Sequence, residues 1–295
     1  MTHAAAPPML LSHSPYERAV LAFRGDASCR DILEQNFLEA NLESAVLRYS
    51  HHWEFLQFHH LFSASVNNTS RVLEVGAGRC LLSLALARLG YRMVALERDA
   101  SSIVGLGALR SLTTAATRLT AVRGDLLPAP FQHGVFDAIV CRSVLHHLDD
   151  MRAGLRQLNR LLRPGGRLFV LNEHVISPFS DGSVFRASHP TVRFGVDERA
   201  YPTFSYLKAL HSAGFRKIRL FGGKRLLYPA FQEASAGNRM RRRPAGRNPL
   251  PWLAARILYG LHVIRRSPSD WLSYILPQEH HCPAVSMVAL KHSDS

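Results

Sequence analysis

The stretch Arg71-Val72-Leu73-Glu74-Val75-Gly76-Ala77-Gly78-Arg79-Cys80 decides the fold of this chain. Val72, Leu73 and Val75 read as a short buried strand that breaks at Gly76 and Gly78. Apolar residues at helical spacing follow at once over 81–89. A strand, a glycine turn and a helix in that order bring a ligand against bare backbone, because glycine accepts positive φ and has no Cβ to obstruct the approach. Such a turn is a weak signal alone, and its surroundings decide what it holds.

Downstream, strands alternate with helices. A strand over 91–96 ends at Glu97, residues 101–117 read as a helix weakened by Gly105 and Gly107, and a strand over 119–122 closes at Gly124-Asp125. A fourth strand covers 136–141, and a helix over 151–162 stops at Arg163-Pro164-Gly165-Gly166 before a fifth strand over 167–173. The pattern loosens until a short helix over 203–214, then strands over 215–220 and 283–290. This is an α/β, doubly wound, Rossmann-like pattern whose mainly parallel sheet is covered on both faces.

Upstream, residues 1–30 read as a loose leader. Asp31, with Glu34 three residues on, reads as the cap of a helix carrying Ile32, Leu33, Phe37, Leu38, Leu42 and Val46. An aromatic-rich helix follows, and 31–66 together predict an N-terminal helical cap over the ligand cleft. His51, His52, His59 and His60 flank that second helix without a complete ligand set, and Glu279-His280-His281-Cys282 cannot all converge on one ion, so the sequence assigns no metal. Residues 67–295 form the main domain, with 224–281 a helical insertion before the last strand.

The 295 residues, 47% of them hydrophobic, suffice for a sizeable core. Four scattered cysteines without a CxxC pair argue against a disulfide framework or zinc finger and predict a reducing, cytoplasmic setting. No signal-peptide pattern is visible, and no run approaches the ~20 apolar residues of a membrane-spanning helix. The net charge of +14 is concentrated: 234–269 carries eight arginines and no acid. Such a block predicts contact with an anionic partner, with a solvated basic loop as the plainer alternative.

Glu97 lies 19 residues after Gly78, at the end of the next strand, where an acid accepts both hydroxyls of a ribose held over the glycine turn. A dinucleotide fingerprint would need glycine at Leu81; its absence, with Glu74 inside the strand, counts against a pyrophosphate site.

With these residues in place the chain resembles the class I methyltransferases that use S-adenosylmethionine, in particular the small-molecule group that includes the quinone-biosynthesis methyltransferases. The matching stretches are Val72 to Gly78, Glu97, Gly124-Asp125-Leu126 with Pro130-Phe131, Phe136 to Val140, Leu145-His146-His147-Leu148-Asp149, and Leu162 to Gly166, in the family's order over about residues 70–175. The resemblance implies a seven-stranded sheet whose last strand is antiparallel and inserted beside the sixth. It also implies a donor site for S-adenosylmethionine, with S-adenosylhomocysteine as product. Gly76, Ala77 and Gly78 would face its methionine and ribose portions, and Glu74 would organise the turn or reach the amino group through water. Glu97 would take the ribose hydroxyls with Arg98 beside the adenine, Asp125 would accept from the adenine amino group with Leu126 packing on the ring, and Cys141 and Ser143 would line the methionine end.

A sulfonium methyl needs an in-line nucleophile and exclusion of water. If the nucleophile is a hydroxyl, a histidine base helps. His146 and His174 stand at the carboxyl edge and are the candidate catalytic residues. Cys141-Arg142-Ser143-Val144 lacks the Asn/Asp-Pro-Pro-aromatic motif of nucleobase amine methyltransferases, so a nucleic-acid acceptor rests on charge alone. The tryptophan- and leucine-bearing helix within the insertion has interfacial character, or closes the site. The stretch His189 to Tyr201 is similar to substrate loops of methyltransferases acting on glycans or glycolipids. The expectation is therefore O-methylation of a small-molecule, glycan or lipid-linked acceptor, with contact to a membrane or other anionic surface through 234–269. The alternatives are an RNA methyltransferase steered by the basic insertion and a non-catalytic cofactor-binding protein of the same fold.

Overall fold

A computed structural model describes residues 13–112, 118–221 and 284–292. The insertion 224–281, its arginine block 234–269, Glu279 to Cys282 and the first twelve residues lie outside the described residues.

Seven strands form one sheet: β1 (Arg71–Val75), β2 (Arg92–Glu97), β3 (Leu119–Arg123), β4 (Phe136–Arg142), β5 (Leu162–His174), β6 (Phe215–Phe221) and β7 (Ala284–Lys291), in the order β3-β2-β1-β4-β5-β7-β6. β1 to β5 pair in parallel, and β7 runs antiparallel between β5 and β6, as the resemblance implied. The strand order reverses between β1 and β4, which opens a crevice at their carboxyl ends where α/β sheets take ligands.

Period-two alternation splits the strand residues between two cores. Val72, Met93, Ala138, Val140 and Phe169 pack with α3 (Leu42–Ser50), α4 (Trp53–Ser63) and α5 (Leu81–Arg88). Leu73, Val75, Ile139, Cys141, Leu168 and Val170 pack with α6 (Met151–Leu161) and α8 (Thr203–Ser212). In α6, Leu155, Leu158 and Leu161 form the buried stripe, and the Asp150 side chain caps it by accepting from the Ala153 N–H at 2.9 Å.

Three local expectations change. Residues 14–29 are not a loose leader: α1 (Pro15–Gly25) begins with a full capping box between Ser14 and Glu17. It buries Ala19, Val20 and Phe23 against Val104 and Leu38, and Phe23 meets the Phe194 ring edge-on at 5.7 Å. The helix expected from Asp31 is two helices, α2 (Arg30–Asn36) and α3, parted by Phe37 at φ +56°; Asn41 caps α3, while Asp31 sits within the first turn of α2. The expected helix over 101–117 is, among its described residues 101–112, a 3-10 turn at Leu106–Ser111; 113–117 lie outside the described residues. Asp99 and Ser101 take the amides of Ser101, Ile103 and Val104 on their side chains, which offers the backbone an alternative to the α-helix.

Candidate active site

The glycine turn is pinned from β2. The amides of Gly76 and Ala77 both donate to the Leu96 carbonyl, at 2.9 and 3.2 Å. Glu97 accepts from the Gly78 amide at 2.8 Å with one oxygen and from the Asp99 amide at 2.8 Å with the other. A carboxylate oxygen has two acceptor sites, so both retain capacity for a hydroxyl donor. Gly76 has φ +65°, and a Cβ there would stand 2.7 Å from Cγ2 of Val144. Side chains are thus excluded where the turn meets the crevice. A cradle of bare backbone beside an acid at the end of β2 fits an adenosyl amino acid.

Glu74 points to the α5 face and takes the Ser83 amide at 2.9 Å together with the Ser83 hydroxyl. It supplies the cap that Cys80, left-handed and without a side-chain bond, does not. Burial pushes its carboxyl up to about 7, against the downward pull of the Ser83 bonds. The folded value lies above the unfolded ~4.3, so this group's contribution is fully present below that value and is lost as pH rises through about 7. Denaturant titrations at several pH values are expected to show Glu74→Gln flattening this dependence, on the order of 2–4 kcal/mol between pH 4.5 and 8. A wild-type-minus-variant difference that is constant with pH would refute the assignment.

At the rim, Arg98 and Asp125 form an exposed pair at 3.9 Å, while the Leu126 side chain is buried in the core with α6. Ser143, at φ +56°, donates its amide to the Leu171 carbonyl at 2.8 Å and its hydroxyl to that of Asn172 at 3.2 Å, so it ties the tips of β4 and β5. Cys141 departs from expectation. Its thiol is wholly buried in the α6–α8 core, and burial raises its pKa well above the usual value. The alternation of β4 turns that side chain away from the crevice wall.

The cap locks onto the sheet tip through residues not singled out in the sequence. Glu54 of α4 accepts from Arg142 Nε at 2.7 Å, from Asn172 Nδ2 at 2.8 Å and from the Tyr49 hydroxyl at 3.1 Å. Burial alone would lower the Arg142 pKa, but Glu54 and then Tyr49 outweigh it and hold the guanidinium charged.

The two candidate bases fall into one buried cluster. Glu173, wholly buried at the end of β5, accepts the amides of Val144, Leu145 and His146 at 2.9, 3.0 and 3.1 Å, and its Oε2 lies 2.7 Å from His146 Nδ1. Across the ring, His146 Nε2 stands 3.6 Å from Oε2 of Glu198. Burial would lower the His146 pKa, yet Glu173 and Glu198 lift it to about 9; burial and then the charge of His146 push His174 down to about 3. The cluster thus separates the two imidazoles, His146 biased toward its charged form by the two carboxylates and His174 toward its neutral form by burial. Thr191 donates to Glu198 Oε1 at 2.9 Å, and the His174 ring lies 4.4 Å from His146 and 5.2 Å from His189. Glu198 sits in the stretch that sequence reading marked as a substrate loop, the one signal that pointed to it.

A seven-stranded sheet with β7 inserted antiparallel, and a glycine turn answered by an acid after β2, define a class I methyltransferase fold. Residues 73–170, a third of the chain, match the family described as "Methyltransferase domain". A ubiquinone biosynthesis O-methyltransferase of Xanthomonas oryzae pv. oryzae is 40% identical over 103 residues, which cover 34% of this chain and 42% of that protein. The chain thus matches less than half the length of this curated relative. Among solved structures, a putative sarcosine dimethylglycine methyltransferase from Galdieria sulphuraria superposes with TM-score 0.53 at 15% identity, over 86% of this chain and 88% of that one. The YcgJ protein of Bacillus subtilis gives 0.51 at 15%, over 80% and 98%. At such identities the structures bear on fold alone. Among the described residues no helix is long and apolar enough to cross a membrane.

Proposed function

We propose that the chain is an S-adenosylmethionine-dependent O-methyltransferase acting on a small-molecule, glycan or lipid-linked acceptor. The observation that carries the reading is the bare-backbone turn at Gly76–Gly78 stapled to Glu97. Gly76, Ala77 and Gly78 hold the amino-acid and ribose portions of the donor, Glu97 the ribose hydroxyls, Arg98, Asp125 and Leu126 the adenine, and Ser143 the methionine end. When bound, the donor supplies a sulfonium methyl that is already electrophilic. The protein's part is orientation and dryness. Arg142 and Glu54 fix the cap against the sheet tip, α1 covers the loop after β2, and the histidine–glutamate cluster lines the acceptor side. An oxygen acceptor accords with the name of the O-methyltransferase relative. We place the arginine block 234–269 against an anionic surface, with membrane phospholipid headgroups ahead of RNA.

Calorimetry is expected to show one donor site, weakened about 10- to 100-fold in Glu97→Ala, where charge-assisted bonds worth ~1.5–3 kcal/mol are lost, and abolished in Gly76→Val. Isotopically labelled donor incubated with fractionated extract is expected to label the small-molecule, glycan or lipid pool. Label in RNA alone would favour the RNA alternative, and donor binding with no label in any pool would favour a non-catalytic protein. Binding to anionic vesicles should fall steeply with salt.

A further inference from the structure

The cluster around Glu198 is built from separate segments: His146 after β4, His174 at the end of β5, and Glu198 ahead of α8. One ligand-type atom from each of these three lies within 4.8 Å of the others. Two polar atoms in it are buried without a hydrogen-bond partner among the described residues, His146 Nε2 and Glu198 Oε2. Their residues are 1% and 5% exposed. Buried polar atoms are nearly always satisfied, and one left over needs an explanation. These two face each other at 3.6 Å, too far for a hydrogen bond. Two ligands of a tetrahedral ion bound at 2.0–2.1 Å stand about 3.3 Å apart, close to the spacing seen. Glu173 contacts the other nitrogen of the His146 ring at 2.7 Å, the carboxylate–histidine arrangement that turns Nε2 toward a metal and fixes its tautomer. Thr191, 2.9 Å from the second Glu198 oxygen, holds that carboxylate in place.

We propose that His146, His174 and Glu198 form a binding site for one divalent transition-metal ion, with Glu173 as the residue that orients His146. Two imidazoles and a carboxylate suit zinc, iron(II), cobalt(II) or manganese(II), whereas magnesium and calcium prefer sets made of oxygen. Three protein ligands leave a coordination position open, the pattern of catalytic rather than structural sites. That this position takes the acceptor oxygen rests on the function proposed above; metal binding itself does not.

The test uses the full chain, stripped with chelator and titrated with Zn²⁺ by competition against a chromophoric chelator and with Co²⁺ by its visible absorption. One equivalent is expected to bind saturably. Affinity should fall at least tenfold in Glu198→Gln and in His174→Ala and about 10- to 100-fold in Glu173→Gln, and remain within twofold of wild type in His51→Ala, an exposed histidine away from the cluster. At a fixed concentration, Zn²⁺ should raise the melting temperature of wild type more than that of Glu198→Gln. Circular dichroism checks folding, and His174→Ala, which leaves the buried carboxylates in place, decides the matter if Glu198→Gln does not fold. Absence of saturable binding, or equal affinity in wild type, Glu198→Gln and His174→Ala, would overturn the proposal and leave a histidine–glutamate ion pair. Both outcomes are read without methyl transfer, so failure here and failure of the methyltransferase reading are distinguishable.

Discussion

Glu173→Ala is expected to cost about 5 kcal/mol, enough to unfold a domain of ordinary stability. Its carboxylate accepts three consecutive backbone amides, Val144, Leu145 and His146, and contacts the His146 ring. It thereby caps the short 3-10 turn Leu145–His147 from another strand. Alanine leaves these donors buried without partners, at ~1–3 kcal/mol each, and opens a cavity beside β5. Glu173→Gln keeps one acceptor oxygen and should lose about half as much. Denaturant midpoints and soluble yield measure the effect. An alanine variant within 1 kcal/mol of wild type would show that water or a rearranged turn replaces the carboxylate.

Arg142→Ala is expected to cost about 3–5 kcal/mol, the penalty for stranding one member of a buried ion pair. Glu54 would then hold only Tyr49 and Asn172. The same change frees α4 from the tip of β4, so donor affinity should fall together with stability. The double variant Arg142→Met/Glu54→Leu removes both charges and should recover most of the stability, because desolvating the pair offsets much of its Coulombic gain. A double variant as unstable as the single one would mean that the loss comes from the guanidinium lying over the Tyr49 ring, 5.3 Å from its centroid, rather than from the stranded carboxylate.

Much of the framework could be read from local pattern. The run Val72 to Gly78, the stop at Arg163 to Gly166 and the short continuous apolar runs of β4 and β5 each state their conformation within a few residues. The antiparallel place of β7 came from the resemblance and is what the sheet shows. Local reading failed where another force outweighed periodicity. The weakly patterned Ser14–Cys29 stretch becomes an ordered helix through its capping box and through Phe23, which packs against the distant Val104 and Phe194. The periodic 31–46 run breaks at Phe37, whose left-handed backbone turns the chain so that α3 reaches α5. Cys141 was placed by its position at a strand tip, whereas the parity of β4 decides which way it faces.

The sequence by itself determined the class of this protein, because a ligand turn and the acid that answers it are encoded in neighbouring strands: Gly78 and Glu97 are 19 residues apart and meet through one hydrogen bond. Only the tertiary structure decided what surrounds that turn. Glu54 and Arg142 are separated by 88 residues, Glu54 and Asn172 by 118, and His146 and Glu173 by 27. No local spacing announces such partners. They become visible when the parallel sheet sets the ends of β4 and β5 side by side and burial makes every charged group near them depend on finding another.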